Sequence, residues 1–129
     1  MKKVSVIIEK NNDGFWGQIL EIPEVFCHAE NISSLKLNCD EVYELFCEAN
    51  GIKCKTLEYE FVIDLTQFFE LNDYINISNL AKRIGINQSL LRQYAKGIKY
   101  PGIKQVEKIQ KAVHQVGQEL IATKLKPAM

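Results

Sequence analysis

The sequence has 129 residues, of which 47% are hydrophobic and 25% charged, and its formal net charge is zero at pH 7. This length suits one domain or two very small ones, and the composition excludes wholesale disorder. The zero net charge hides an asymmetry, because residues 1–64 hold six lysines and twelve acidic residues, whereas residues 65–129 hold ten basic and four acidic residues. The acidic half suits a basic protein partner, and the basic half suits a polyanion such as DNA.

The first half has the sequence pattern of three strands, one helix and a fourth strand. Strands are predicted over residues 3–9, 15–22 and 25–29, since these are short apolar runs rich in β-branched or aromatic residues, and an Asp-Gly turn precedes the second. A fourth strand, apolar at every second position, is predicted over residues 59–65. This order predicts a small α+β fold in which the helix covers one face of a sheet.

The helix of the first half is predicted to begin after Asn31 or Ser33 and to end at about Ala49. Asn and Ser are preferred N-caps, and the Asn50-Gly51 pair is typical of a helix end. Apolar residues at alternating spacings of four and three form one stripe, which we expect to face the sheet. The residues of this stripe are Leu35, Cys39, Val42, Phe46 and Ala49.

A four-stranded sheet with one helix leaves exposed strand edges, and small sheets usually pair or cover such edges. The predicted fourth strand carries only two acidic residues, so we expect it to pair with its copy in a second chain. The protein is therefore expected to be a homodimer or a higher homo-oligomer, which also suits a protein that binds DNA with two-fold symmetry.

The cysteines and the short apolar segments indicate the compartment. No two cysteines form a Cys-x-x-Cys pair, which argues against a structural zinc site, and we predict free thiols in a reducing environment. The apolar run of residues 4–8 is too short for a signal peptide, and no segment is long enough to cross a membrane. We therefore expect a cytoplasmic protein without a membrane partner. The cysteines are Cys27, Cys39, Cys47 and Cys54.

Two short helices joined by a tight turn are predicted in the second half. Asn76 or Ser78 is expected to cap the first helix, and Gly85 allows the sharp turn after it, since glycine adopts positive φ without steric cost. Asn87 is a suitable N-cap for a second helix, predicted over residues 88–96. This arrangement is that of a helix-turn-helix, whose second helix enters the major groove of DNA.

The outward side of that second helix carries residue types that bind bases. Gln, Ser and Arg side chains hydrogen-bond to base edges in the major groove, and lysines suit phosphates. No acidic residue lies between Asp73 and Glu107, whereas an ordinary surface helix has more Glu/Lys pairs. A helical hairpin with a polar face and no ligand is the alternative. The residues predicted to bind DNA are Asn76, Asn87, Gln88, Ser89, Arg92, Gln93, Lys96, Lys99 and Tyr100.

Two further helices flank this motif. One is predicted over residues 65–71, and the other follows Gly102 and runs to about Leu125. The last helix has an apolar stripe, which is more typical of a core than of a cofactor site. The residues of the stripe are Ile103, Val106, Ile109, Val113, Val116 or Gly117, and Leu120.

The second half resembles the Cro/C1-repressor (XRE-type) helix-turn-helix family over roughly residues 65–125. The resemblance implies an all-α, lambda-repressor-like domain over residues 65–129, with Asn76 at a helix start that contacts phosphate. Ile77 and Ala95 stand where the family often has a Gln and a Glu. The base-reading positions that the resemblance implies are Gln88, Ser89, Arg92 and Gln93. The matching motif positions are Leu80-Ala81, Gly85, Asn87, Gln88-Ser89, Gly97 and Pro101.

Residues 3–49 resemble the HicB antitoxin domain, which has a partial ribonuclease H-like fold. The resemblance lies in the first strand, the Asp-Gly turn before an aromatic strand, the Pro23-Glu24-Val25 segment, where the glycine usual in the family is replaced, and the acidic helix. It implies a toxin-binding and dimerisation domain over residues 1–64. A HicB-like half followed by a Cro-like half is similar to the HicB antitoxins of type II toxin–antitoxin systems.

This resemblance implies two activities for one chain. It would bind and neutralise a small basic HicA-type toxin, an endoribonuclease that acts on mRNA, and it would repress its own operon by sequence-specific binding to a double-stranded operator. The alternative is a stand-alone helix-turn-helix transcription regulator, whose first half is a dimerisation or ligand-binding module and which has no toxin.

A ribonuclease H-like fold also raises the question of a nuclease. Such chemistry requires several carboxylates around a divalent metal ion, whereas the acidic residues here are spread over turns, strand ends and one helix face. Cys27 and His28 are neighbours on a predicted strand, so their side chains point to opposite faces and form no catalytic dyad. We therefore expect no enzymatic activity, and we predict no metal or cofactor site.

Overall fold

A computed structural model describes residues 1–128 and shows an α+β fold with a four-stranded mixed sheet and five helices. The chain forms two compact units, the first over Met1–Gln67 and the second from Phe68 onward. The boundary predicted from the sequence, between residues 64 and 65, lies three residues earlier. The elements are β1 (Lys2–Asn11), β2 (Gly14–Ile19), β3 (Phe26–Ala29), α1 (Ile32–Ala49), β4 (Leu57–Val62), α2 (Leu65–Leu71), α3 (Ile77–Ile84), α4 (Gln88–Ala95) and α5 (Ile103–Ala122).

The strand order in the sheet is β3-β2-β1-β4. β1, β2 and β3 pair antiparallel through two short connections, and β4 returns after α1 to pair parallel with β1. Every second residue of β1 and β2 is buried on the face that α1 covers, as in a sheet with one covered face. The buried residues of these two strands are Val4, Val6, Ile8, Phe15, Gly17 and Ile19.

Two predicted strand boundaries are wrong for local reasons. β2 ends at Ile19 rather than at residue 22, because the N–H of Ile22 donates to the carbonyl of Ile19 and thereby turns the chain. β4 ends at Val62 rather than at residue 65, because the carboxylate of Asp64 accepts from the N–H of Gln67 at 2.9 Å and caps α2. Asp is a preferred N-cap, so this signal competes with the strand pattern.

α1 begins after Asn31, whose side-chain oxygen accepts from the N–H of Ser34 at 2.9 Å. The predicted stripe is partly wrong, since Ala49 is exposed and Val42 and Phe46 are only half-buried. The buried row is shifted towards Tyr43. The hydroxyl of Tyr43 accepts a hydrogen bond from the N–H of Lys55 at 3.3 Å, so this polar group has a partner although the side chain is buried. The buried residues of α1 are Leu35, Cys39, Tyr43 and Cys47.

Cys27 on β3 and Cys39 on α1 form a disulfide, so the prediction of free thiols is wrong for this pair. α1 packs chiefly on β3 and β2, and this packing brings the two Cα atoms within 5.2 Å. The two cysteines are 12 positions apart, a spacing that fits no Cys-x-x-Cys motif and gives no signal in the sequence. Cys47, which is buried, and Cys54, which is exposed, are free thiols. The cysteines therefore give no support to the expected reducing environment.

In the second unit α3 packs against both α4 and α5. The predicted stripe on α5 is partly wrong: Ile109 is buried, whereas Ile103 is 80% exposed and Leu120 is 68% exposed. α5 has 20 residues and α3 has eight, so the ends of α5 extend beyond the helix against which its middle packs. Within residues 1–128, each helix is too short or too polar to span a lipid bilayer.

Candidate nucleic-acid interface

The turn between α3 and α4 fixes the geometry of the candidate interface. Asn76 caps α3, with its side-chain oxygen accepting from the N–H of Asn79 at 2.9 Å. Gly85 ends α3 in the left-handed conformation, at φ 86°, where its N–H donates to the carbonyl of Ala81. A residue with a Cβ is strained in this conformation, so the glycine sets the direction in which the chain leaves the helix.

α4 starts at Asn87, which caps it through two hydrogen bonds. The side-chain oxygen of Asn87 accepts from the N–H groups of Ser89 at 2.8 Å and Leu90 at 3.3 Å. Leu91 and Tyr94 are buried and face the rest of the unit. Asn76 and Asn87 both use their side-chain oxygen atoms as caps, and their side-chain NH2 groups are left to donate to phosphate.

Five predicted residues lie together on the outward side of α4: Gln88, Ser89, Arg92, Gln93 and Lys96, here called the reading face. Spacings of four residues place them in two adjacent rows on the helix. Ser89, Arg92 and Lys96 are exposed, whereas Gln88 and Gln93 are half-buried and keep part of each side chain available. The reading face thus offers amide, hydroxyl, guanidinium and ammonium groups within two turns, which are the groups that bind base edges and phosphates.

Arg92, in the middle of the reading face, is bonded to α3. Its guanidinium donates to the hydroxyl of Ser78 at 2.6 Å, across the turn. Ser78 is therefore a functional candidate that the sequence suggested only as an alternative helix cap. No local pattern links the two residues, since they are 14 positions apart and meet only when α3 packs on α4.

Lys99 and Tyr100 lie in the loop after α4, and both are exposed. Gly97, at φ 73°, turns this loop back on the helix, and the N–H of Ile98 donates to the carbonyl of Gln93 at 2.9 Å. Because backbone hydrogen bonds tie the loop to the end of α4, the two exposed side chains start from a defined backbone position beside the reading face. This position suits contacts to a DNA backbone.

The charge around the reading face is basic. No acidic residue occurs between positions 73 and 107, and the exposed cations Lys82, Lys96 and Lys99 lie on α3, at the end of α4 and in the loop. Arg83 is not part of this surface, because its guanidinium pairs with the carboxylate of Glu119 on α5. Unpaired lysines beside polar side chains are an arrangement of charge that suits a polyanion.

In the part of the chain that the structure describes, no three His, Cys, Asp or Glu side chains are grouped so that they could hold a metal ion. The protein-family models match no part of this sequence, and no curated protein matches it.

Proposed function

We propose that the protein is a HicB-type antitoxin that neutralises a HicA-type mRNA endoribonuclease and represses its own operon. The observation that carries the proposal is the reading face of α4, which lies outside a tight helix-turn-helix and is surrounded by unpaired lysines. The order of three strands, a helix and a fourth strand in the first unit is consistent with the partial ribonuclease H-like domain of such antitoxins.

The acidic first unit supports the toxin-binding half of the proposal. The described salt bridges include none in this unit, and its twelve acidic residues outnumber the six lysines of residues 1–64 two to one. A small basic ribonuclease would be attracted by this excess, and the attraction would raise the rate of association.

A homodimer is part of the proposal, because two copies of the reading face match an operator with two-fold symmetry. An apolar row on α5 supports it, in which Ile103, Val106 and Leu120 are exposed and Val113 is half-buried. These four residues are spaced by three and seven positions and lie on one side of the helix, as in a helix–helix seam. We expect Leu120→Glu to convert the dimer to a monomer in analytical ultracentrifugation, and Gln118→Glu, also exposed on α5, to leave it intact.

DNA binding is tested with a duplex that carries the region upstream of the protein's own gene. Gln88→Ala should reduce the preference for this duplex over a scrambled one by about 1–3 kcal/mol, the value of a bidentate base contact. Lys99→Ala should instead weaken binding to both duplexes alike and reduce the salt dependence. Unchanged preference in Gln88→Ala would refute the assignment of the reading face.

Toxin binding is tested by purifying the tagged full-length chain from its native host. A stoichiometric small basic protein, identified by mass spectrometry, would support the antitoxin function. Recovery of DNA alone would overturn that half of the proposal and leave the stand-alone transcription regulator. Gln88→Ala serves as a control here, because it should have a weaker preference for the operator and retain the toxin.

A further inference from the structure

The outer edge of β4 has backbone groups with no neighbouring strand among residues 1–128. β4 pairs with β1 on one side only, and the N–H of Lys2 donates to the carbonyl of Thr56. In a parallel ladder the bonds to one neighbour come from alternate residues. The N–H and C=O groups of Leu57, Tyr59 and Phe61 therefore point to the outer edge, where a further strand could bind them.

Two unpaired carboxylates line this edge on the sheet face opposite α1. Glu58 and Glu60 are exposed, and neither has an ion pair or side-chain hydrogen bond within residues 1–128. Lys3 lies across the strand pair from Glu58, and Ser5 lies across from Glu60. The edge therefore has two open positions for a cation on an added strand, the stronger one at Glu60.

These glutamates oppose the pairing of β4 with its own copy, which is the dimer contact expected from the sequence. A two-fold axis at Tyr59 would place Glu58 of one chain opposite Glu60 of the other, and an axis at Glu60 would place two copies of Glu60 opposite each other. Like charges directly opposite destabilise a strand pair. The remaining registers pair at most three residues of each six-residue strand. The edge is therefore suited to a different chain.

The other face of β4 offers an apolar platform. The rings of Tyr59 and Phe61 are stacked with centroids 6.0 Å apart, and both side chains are only half-buried because α1 packs chiefly on β2 and β3. The hydroxyl of Tyr59 donates to the carboxylate of Asp40 on α1, which fixes the ring. Apolar side chains of an added strand would complete the cover of this platform.

We propose that the free edge of β4 binds a strand of a basic partner, in which basic residues facing Glu58 and Glu60 alternate with apolar residues facing Tyr59 and Phe61. The backbone would supply the hydrogen bonds and the alternation would supply the specificity. The inference deepens the toxin-binding half of the proposed function and rests on that function only for the identity of the partner.

The test uses the full-length chain and a labelled heptapeptide of alternating lysine and valine. We expect this alternating peptide to bind about tenfold more tightly than a peptide of the same composition with its lysines in one block. Only the alternating sequence places every lysine on one face of the added strand. The double variant Glu58→Lys/Glu60→Lys should lose about tenfold in affinity for the alternating peptide. The matched control is Glu41→Lys/Glu44→Lys, which makes the same charge change on exposed residues of α1 and should lose less than about twofold.

Hydrogen exchange locates the site. The peptide should protect the outward N–H groups of Tyr59 and Phe61, whereas those of Glu58 and Glu60 point to β1 and should change little. Equal binding of the block peptide, equal loss in the α1 control, or unprotected Tyr59 and Phe61 amides would each overturn the inference.

The two proposals fail separately. If the alternating peptide binds as expected and the host yields no basic partner, the edge site stands and the antitoxin function falls. If a basic partner is recovered equally by the wild type and by Glu58→Lys/Glu60→Lys, the antitoxin function stands and the edge site is refuted.

Discussion

The guanidinium of Arg92 is held by the hydroxyl of Ser78, so the middle of the reading face is fixed before any DNA arrives. We expect Ser78→Ala to weaken binding of the upstream duplex by about 0.5–1.5 kcal/mol, the usual net value of such a bond, because the arginine would then have to be ordered on binding. Arg92→Ala should cost more, about 1–3 kcal/mol, since it also removes the proposed contact to DNA. Fluorescence anisotropy at fixed salt measures both. Tighter binding by Ser78→Ala would mean that the bond holds Arg92 away from DNA.

Gly85 and Gly117 form a matched pair for testing the turn. An added Cβ would meet no atom within 4 Å at either position, but only Gly85 has positive φ. Gly85→Ala should destabilise the second unit by about 1–2 kcal/mol, because alanine is strained in the left-handed region. Gly117→Ala lies inside α5 and should stabilise it by about 0.5–1 kcal/mol. Urea unfolding of both variants measures the difference, and equal shifts would show that the turn conformation is not the cause.

The Cys27–Cys39 disulfide should make the first unit sensitive to reductant. The disulfide joins cysteines that are 12 positions apart. A loop of this length suggests that the bond contributes about 3 kcal/mol to the free energy of unfolding. The double variant Cys27→Ala/Cys39→Ala should therefore unfold at a lower temperature than the parent, and reductant should not change that temperature. Cys54→Ala should behave as the parent. Thiol titration of the unfolded parent should find two thiols, Cys47 and Cys54. Four thiols in protein isolated without reductant would contradict the bond.

Cys54 is exposed, and we expect it to react slowly. A hydrogen bond with the Cys47 thiol, followed by desolvation and by the negative charges of Glu44 and Glu48, raises the pKa of Cys54 to about 11. An ordinary cysteine has a pKa of about 8.5, so at pH 8 the thiolate fraction of Cys54 should be lower by about two orders of magnitude. Alkylation by iodoacetamide should accelerate up to about pH 11, and Cys47→Ala should shift the profile to lower pH. A profile that levels off near pH 9 in the parent would refute this expectation.

The order and type of the elements could be predicted because local signals agree with the tertiary fold. Alternation on β1 and β2, the Asn31 cap and the apolar spacing of α1 each identify an element without its neighbours. The errors arise where burial depends on a partner element. Tyr43 is buried because Lys55 satisfies its hydroxyl, and Leu120 is exposed because α5 extends beyond α3; neither fact is visible in a helical pattern.

The residues of the candidate site could be selected from the sequence because caps and turns are local. Asn76, Gly85 and Asn87 have the cap and turn roles expected of them. The bond between Ser78 and Arg92 and the disulfide between Cys27 and Cys39 could not be predicted, since each joins two elements whose approach only the packed fold determines. The DNA sequence that the proposed interface would prefer could not be predicted either, because it depends on a partner outside this chain.

The parallel pairing of β1 with β4 has a consequence for synthesis on the ribosome. β1 lies inside the sheet, yet its neighbour on one side is the last strand to be made, with Lys2 paired to Leu57. At about 5–20 residues per second, β1 remains without that neighbour for several seconds after it is translated. A nascent chain stalled before β4 would keep a strand rich in valine and isoleucine open along one edge. The incomplete chain, whose open strand is the more apolar β1, is thus a species that should need a chaperone.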